Sequence, residues 1–410
     1  MTIFVNIALA TVAALALLFL LSRHLLESRA WRATITPLAS IIGSGFLVSV
    51  PLLSGSVGNW AIIAMGALVL YAYLVGGAIR FNIAHGEPLF EHAAKQSSAR
   101  IAMMAERLSH VALAGAYFIS IAYYLSLLSI FLLKGIGVDS ETLARVITTS
   151  VLVFIGFYGF ARNLSGLERL EEYAVSFNLA VIAAITVALA GYNIHLWTDG
   201  NWALATLPVQ FDAHTMRTLL GFIIVVQGFE TSRFLASEYP ATLRISTMRK
   251  AQLISGAIYL IFFALATVMF RAHYADSGVA AIIGMVGVIA FVLPLLLTGA
   301  AVASQFSASV ADAIGGAGLL HQTFAQWFSL RYFYPVIAGA AIALVWTSDV
   351  FQIISLASRA FAFFYFLQCL VASLVALAAK DVTARGRRAA WFGLLALASL
   401  AAAVFGISSE

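Results

Sequence analysis

Hydrophobic residues in this chain form long runs that are separated by short polar connections. Most runs are close to the ~20 residues with which an α-helix crosses the ~30 Å hydrocarbon core of a bilayer. Alternating patterns of ~10 residues, which are typical of membrane β-strands, do not occur. The pattern predicts an all-α integral membrane protein with about twelve transmembrane helices. The twelve runs lie at about residues 3–22, 35–54, 60–79, 108–133, 143–161, 173–191, 217–235, 251–270, 279–311, 332–347, 350–379 and 389–407.

Composition agrees with this pattern. Of the 410 residues, 62% are hydrophobic and 10% are charged, whereas soluble proteins carry about 25% charged residues. No polar stretch reaches the size of a domain, which excludes a large soluble domain. The single cysteine, Cys369, excludes an intramolecular disulfide.

Motifs of enzyme chemistry are missing from the sequence. Patterns of the H-E-x-x-H, P-loop and G-x-S-x-G types are absent, and the eight histidines are scattered along the chain. We therefore expect no enzyme activity and no cofactor. We also expect no metal cage of histidines and no ATP-driven transport by this chain alone.

Lysine and arginine residues are distributed unevenly over the connections. One alternate set of connections holds 18 of the 23 basic residues and the other set holds 4, while Arg359 lies inside a run. Because basic residues accumulate on the cytoplasmic side, we expect both termini outside the cytoplasm of a bacterial inner (plasma) membrane. The same accumulation of basic residues on one side accounts for the net charge of +5, so we expect no nucleic-acid partner. The first run lacks the basic start and cleavage site of a signal peptide, so we expect a retained helix.

The run at 217–235 is interrupted in its middle by polar residues. Gln227-Gly228 breaks the run, and Glu230 and Arg233 follow at once. A carboxylate at bilayer depth is costly unless it faces a cavity or a partner, so it indicates a functional site. A glycine beside it allows the helix to unwind and frees backbone groups to bind a ligand.

The second run has a comparable cluster, Gly43-Ser44-Gly45, at its centre. Taken alone, such small residues more often allow close helix packing. However, Gly43 and Gly228 each stand in the first helix of a set of five, and two glycine-broken helices in inverted halves indicate a transporter site. The chain then divides into an extra N-terminal transmembrane helix (1–33), a first five-helix repeat (34–191), an external loop (192–216), a second, inverted repeat (217–379), and a cytoplasmic loop with a C-terminal helix (380–410).

These motifs resemble those of the amino acid–polyamine–organocation (APC) transporter superfamily, whose members have the LeuT-type fold of 5+5 inverted repeats. Ile42-Gly43-Ser44-Gly45-Phe46 is similar to the glycine-rich break of the first core helix, and Gly228-Phe229-Glu230 to the G-[FIV]-E of the sixth. Glu238-Tyr239-Pro240 with Arg244 resembles the segment that follows, although Tyr239 stands where the family usually has asparagine.

The resemblance implies that an amine- or carboxylate-bearing solute binds between the two broken helices. Free N–H groups at a half-helix N-terminus suit a carboxylate, and unwound carbonyls suit an ammonium group or Na⁺. By this interpretation the carboxylate group of the solute binds at Gly43, Ser44 and Gly45, and carbonyls of Gln227, Gly228 and Phe229 accept the amine. Ile42 is a further candidate for substrate binding. Glu230 would serve in gating, coupling or pH sensing. The alternative for Glu230 is a structural ion pair with Arg233.

Further polar residues in the runs are candidates for the same pathway. Tyr117 and Tyr124 share a face of the third core helix, where either could close over the substrate or simply pack. Arg359 lies inside the tenth core run and requires a carboxylate or backbone partner, which would suit a gate. Ser304 and Ser307 fall at i, i+3 in the eighth core helix, where they are candidate Na⁺ ligands or part of a packing face.

The sequence therefore favours a secondary active transporter for an amino acid, an amine or a related small organic solute. One alternative is a sodium-coupled symporter of the same fold for another small solute or an inorganic ion. Another is a transport-inactive membrane sensor that kept the fold. Na⁺ or H⁺ would be the coupling ion, and the oligomeric state stays open, with a homodimer as one option.

Overall fold

The computed structural model describes residues 2–91, 97–162, 164, 169–204, 207, 212–236, 238–270, 278–324, 328–379 and 382–408. Over these ranges every regular element is helical. Ten stretches are long and apolar enough to cross a membrane, and one of them, Arg29–Phe90, contains two successive helices. The protein is therefore an all-α integral membrane protein, as the hydrophobic pattern predicts.

We number the longer helices in chain order. They are α1 (Thr2–Leu20), α2 (Arg29–Val57), α3 (Ala61–Phe81), α4 (Ser97–Gly135), α5 (Glu141–Arg162), α6 (Arg169–Thr198), α7 (Ala213–Leu220), α8 (Ala241–Ala266), α9 (Ala281–Gly287), α10 (Val292–Phe324), α11 (Phe333–Thr347), α12 (Val350–Ala378) and α13 (Arg385–Phe405). Shorter elements are the helices Arg23–Leu26, Glu87–Glu91 and Thr231–Phe234, the π-helix Asn82–Gly86, and the 3₁₀ turns Gly58–Trp60, Ile223–Val226, Thr267–Met269 and Leu330–Tyr332.

Side-chain caps fix where several helices begin. The hydroxyl of Ser28 accepts a hydrogen bond from the Trp31 amide at the start of α2. Asp349 and Gln352 form a reciprocal capping box at the start of α12. The Asp212 carboxylate accepts from the Thr215 amide at 2.8 Å, and this hydrogen bond lowers the pKa of Asp212. These caps satisfy amide groups that have no partner within the helix.

The core of the molecule is centred on α4, which packs against both α10 and α12. Around them, α2 and α3 pack on α8, α5 packs on α11, and α13 covers α12. Large aromatic side chains of α4, including Tyr123, Tyr124 and Phe131, are fully buried. The periphery carries exposed hydrophobic side chains such as Phe157 and Phe291, as expected for a surface in contact with lipid.

The first run forms the single helix α1, whereas the ninth run is divided between two helices. Helix α1 packs along α6, and the side-chain oxygen of Asn6 accepts from the Val292 amide at 2.9 Å at the start of α10. The run at 279–311 does not form one helix, because α9 ends at Gly287 and α10 begins at Val292. Pro294 lies in the first turn of α10, where backbone N–H groups have no acceptor within the helix. The N–H that proline lacks therefore costs no hydrogen bond there.

Candidate functional site

The predicted break at Gln227-Gly228 is confirmed. Helix α7 ends at Leu220, a 3₁₀ turn covers Ile223–Val226, and Gln227 is extended with φ −76° and ψ 171°. Gly228 has φ +112°, and a Cβ atom there would lie 2.6 Å from the backbone carbon of Ser40. Only glycine meets both the dihedral and the space requirement, so this residue makes the close crossing with α2 possible.

The predicted break at Gly43-Ser44-Gly45 is wrong, because α2 continues as an α-helix from Arg29 to Val57. A Cβ atom on Gly45 would clash with Val225, and the Gly43 carbonyl accepts from Gln305 at 2.8 Å. The small residues thus let the broken segment and α10 approach α2 closely. An intact helix uses its own amide groups, so the expected cradle for a carboxylate is not formed.

Two further candidate site residues, Ile42 and Ser44, lie on the same continuous helix. Ile42 is buried in the core, 2% exposed, where it has no free backbone amide to offer a ligand. The side chain of Ser44 lies outside the described part of the structure. Sequence reasoning could not separate the two uses of glycine, since unwinding and close packing require the same residue type.

Glu230 begins the inner half of the broken helix and is fully buried. Its Oε2 accepts hydrogen bonds from the Gly228 amide at 3.0 Å and from the Tyr365 hydroxyl at 2.9 Å. Its Oε1 has no hydrogen-bond partner among the described residues. The ring of Phe229 stacks on Tyr365 with centroids 5.2 Å apart. One oxygen of this carboxylate is therefore available to a ligand.

The alternative assignment, an ion pair of Glu230 with Arg233, is wrong. Arg233 forms its salt bridge with Glu106 of α4 at 2.7 Å, and both side chains are buried. Across the described residues, no salt bridge to Glu230 is formed.

The tyrosines of α4 lie beside the broken segment, as the shared face predicts. The Tyr124 hydroxyl accepts from the Gln227 side-chain amide at 2.6 Å. Tyr117 contacts Phe361 of α12 edge to face, with ring centroids 6.1 Å apart. Both tyrosines are buried, and both interact electrostatically with Glu230 and Asp312. They form one wall of the site.

Asp312 is a second buried carboxylate that the sequence analysis did not assign to the site. It lies on α10, is 6% exposed, and accepts a short hydrogen bond from Ser120 of α4. Ser120 stands one turn from Tyr117, so Asp312 faces the tyrosine wall. An aspartate directly after the apolar run at 279–311 was the available signal, because a carboxylate at bilayer depth is costly without a function or a partner.

A buried polar network, which we call the inner network, joins the inner half of the broken helix to α4 and α12. Gln368 of α12 donates to Glu106 at 3.0 Å and to Ser109 at 2.7 Å. Arg233 donates to the Gln368 side-chain oxygen, and Asn82 donates to the same oxygen at 3.0 Å. Sequence reasoning missed this network, because Glu106 lies outside the predicted run at 108–133 and Gln368 carries no charge.

The structure does not bring Arg359 to the site. Its side chain is exposed, and its Nε donates to the Ala403 carbonyl of α13 at 2.9 Å. The backbone partner is one of the two that the sequence allowed. The arginine thus completes a hydrogen bond near the end of α13, and its role in a gate stays a prediction.

Ser304 and Ser307 border a small cavity between α2, α6 and α10, with about 10 Å³ of free space. Glu171 and Asn178 of α6 also line it, together with Ser40 of α2. Among the described residues, the buried Oδ1 of Asn178 has no hydrogen-bond partner. Carboxylate, amide and hydroxyl oxygens are the ligands of hard cations, so the donor set fits a small ion such as Na⁺.

Three comparisons connect these features to known proteins. A family model described as an APC superfamily transporter matches residues 23–406. An uncharacterized protein of Aquifex aeolicus (strain VF5) is 43% identical over 369 residues, which cover 90% of this chain and 89% of that protein.

The third comparison concerns the fold alone. A solved structure of a Na⁺-coupled sialic acid symporter, in a substrate-bound outward-open state, aligns with 99% of this chain and 98% of its own. The TM-score is 0.56 and the sequence identity is 11%. The neighbour has the LeuT-type fold, so the prediction of an all-α protein with this fold is confirmed.

Proposed function

The chain belongs to the APC transporter superfamily, and on that premise we propose a secondary active transporter that moves an amine-bearing small organic solute by alternating access. Amino acids and simple amines are the leading substrates. The observation that carries the proposal is the unpartnered oxygen of Glu230 at the break of a membrane helix, beside a wall of aromatic residues. Among the described residues, the buried carboxylates of Glu230 and Asp312 have no salt-bridge partner, which favours a cationic group over an anionic one.

The local chemistry suits an ammonium group in particular. Glu230 Oε1 would accept a charge-assisted hydrogen bond, which is stronger than one between neutral groups. The rings of Tyr117, Phe361 and Tyr365 supply π faces that attract a cation. Because α2 forms no carboxylate cradle, a carboxylate on the substrate would have to be bound elsewhere. A simple amine therefore fits the described residues better than an α-amino acid does.

Coupling to an ion has two candidate sites. Glu230 would carry a proton in an H⁺-coupled cycle, since releasing the ammonium group leaves a buried carboxylate that is costly while ionised. The cavity beside Ser304 and Ser307 would hold Na⁺ in a sodium-coupled cycle. The Na⁺-coupled fold neighbour supports the second option as an alternative.

The setting of this activity is also proposed. We infer a bacterial inner membrane with both termini outside the cytoplasm, from the distribution of basic residues. The inner network then lies on the cytoplasmic side of Glu230. Gln227, Phe229 and Glu230 are almost wholly buried, so the described site is closed, as an occluded step of alternating access requires.

A thermal-shift screen tests the substrate class. Purified protein would be heated with amines, amino acids, nucleobases and inorganic ions, each with and without Na⁺. A ligand at 100 times its Kd adds about 2.7 kcal/mol of stability. We expect an amine to raise the Tm of the wild type and to lose this effect in Glu230→Gln. Glu141→Gln, a change at an exposed outer glutamate, is the matched control and should keep it.

Two other results would redirect the proposal. Stabilisation by Na⁺ alone, or by an inorganic anion, would replace the amine with the sodium-coupled alternative. An amine shift of equal size in Glu230→Gln would remove Glu230 from the binding site.

A further inference from the structure

A lipid-facing groove runs between α5 and α11, far from the broken helix. Its volume is about 440 Å³. Every side chain that lines it is apolar or absent, and none is ionisable. The lining residues are Val153, Gly156, Phe157, Phe160, Pro335, Ala338, Gly339 and Ile342.

The groove exists because small residues bring the two helices together at its floor. A Cβ atom on Gly156 would lie 2.8 Å from the Cβ of Ala338, so the helices touch there. On the outer side, a Cβ atom on Gly339 would meet nothing within 4 Å. Close contact at the floor and open space above Gly339 leave a groove that an apolar chain can fill.

The groove occupies one half of the membrane. Helix α5 has 22 residues and is about 33 Å long, and the segment from Val153 to Phe160 covers about 10 Å near its Arg162 end. Helix α11 begins at Phe333, after the turn that holds Arg331. This is the side that the distribution of basic residues assigns to the cytoplasm.

Two arginines stand at that end of the groove. The Arg331 guanidinium lies over the Phe160 ring, with Cζ 5.6 Å from its centroid, and over the Tyr332 ring at 5.0 Å. Arg162 ends α5 two residues beyond Phe160 and is exposed. The groove is apolar, and the arginines at its end lie at the depth of the lipid headgroups. An anionic phospholipid has an apolar acyl chain and a negatively charged phosphate at these same two depths, so it complements the groove.

We propose that this groove binds an anionic phospholipid of the leaflet on the arginine-rich side, with an acyl chain over Gly339 and the phosphate at Arg331 and Arg162. A second copy of the chain fits less well. In a dimer with its two-fold axis along the membrane normal, the arginines of both copies would lie at one depth in the same interface. A lipid phosphate instead neutralises them.

Native mass spectrometry tests the proposal. Protein purified with equal amounts of phosphatidylglycerol and phosphatidylethanolamine would be compared as wild type, Gly339→Phe and Arg162→Gln/Arg331→Gln. We expect the wild type to retain phosphatidylglycerol preferentially. Gly339→Phe, which fills the groove, should lose the retained lipid. The arginine variant should keep lipid but lose roughly tenfold or more of the preference for phosphatidylglycerol.

Matched controls separate the site from general effects. Gly393→Phe adds the same ring at another glycine with open space, on α13. Arg23→Gln/Arg387→Gln removes two basic residues from the same side of the membrane. Both controls should retain lipid as the wild type does, and size-exclusion profiles would check the fold of each variant. If Gly339→Phe does not fold, the arginine pair still decides the outcome.

Two results would overturn the proposal. Equal phosphatidylglycerol retention by the wild type and the arginine variant would show that the groove has no headgroup site. Dimers that disappear in Gly339→Phe, with phosphatidylglycerol retention unchanged, would make the groove an interface between copies of the chain.

Discussion

At the scale of single residues, glycine has two different functions in this protein. Gly228 needs a positive φ, and Gly45 needs only the absence of a side chain next to Val225. The sequence predicted the first correctly, because a neighbouring acid in an apolar run marks an interrupted helix. It could not predict the second, because the contact partner lies 180 residues away along the chain.

Gly228→Ala tests the backbone requirement at the break. The substitution places a Cβ atom against Ser40 and forces alanine to φ +112°, so we expect a loss of about 1–3 kcal/mol of stability and loss of ligand binding. Thermal unfolding measures this loss. Gly318→Ala, on α10 with open space around it, is the control and should be neutral or slightly stabilising.

If Gly228→Ala unfolds at the temperature of the wild type, the positive φ is not a requirement of the native fold. The close crossing of the broken segment over α2 would then need another explanation.

At the scale of elements, the inner network joins three parts of the molecule through buried polar groups. Arg233 belongs to the broken helix, Glu106 to α4 and Gln368 to α12. Sequence separations within the network reach 286 positions, between Asn82 and Gln368. No spacing rule pairs residues so distant, so the helices could be predicted from hydrophobicity but not the network between them.

A double-mutant cycle measures the central pair of this network. Glu106→Gln leaves the buried Arg233 without its partner, so we expect a loss of about 3–5 kcal/mol, and Arg233→Gln should cost a similar amount. The double variant should lose less than the sum of the two single changes, because no uncompensated charge remains. Arg145→Gln, which breaks an exposed pair with Glu141, should change stability by less than ~1 kcal/mol.

Strictly additive losses in that cycle would contradict the network. They would mean that Glu106 and Arg233 act independently, and that the inner half of the broken helix is held by packing alone.

At the scale of the whole molecule, the hydrophobic runs were sufficient to predict an all-α membrane protein, and the resemblance of the motifs at Gly43 and Gly228 supplied the LeuT type. The runs follow from the thickness of the bilayer, which acts on each helix separately. Which helices meet at the site depends on contacts between distant segments. For this reason the sequence did not predict that α2 is continuous or that Asp312 lies beside the tyrosines, whereas Glu230 and the tyrosines could be named because they stand out within apolar runs.

The closed site fits a transporter whose substrate is released to one side at a time. Glu230 lies under the break, the tyrosines of α4 cover it, and the inner network lies beyond it. We expect that opening to either side separates one set of these contacts and leaves the other in place. A transport-inactive sensor would have the same closed site, so binding data alone do not distinguish the two.

Uptake into liposomes is the most direct test of the central claim. Reconstituted wild type would be given the labelled amine that the thermal-shift screen identifies, with and without the same amine preloaded inside. We predict saturable uptake that preloading accelerates, as alternating access requires. Uptake should fall tenfold or more in Glu230→Gln, which loses a charge-assisted hydrogen bond of about 1.5–3 kcal/mol, and stay unchanged in Glu141→Gln. Binding without uptake, or equal uptake by Glu230→Gln, would contradict the account.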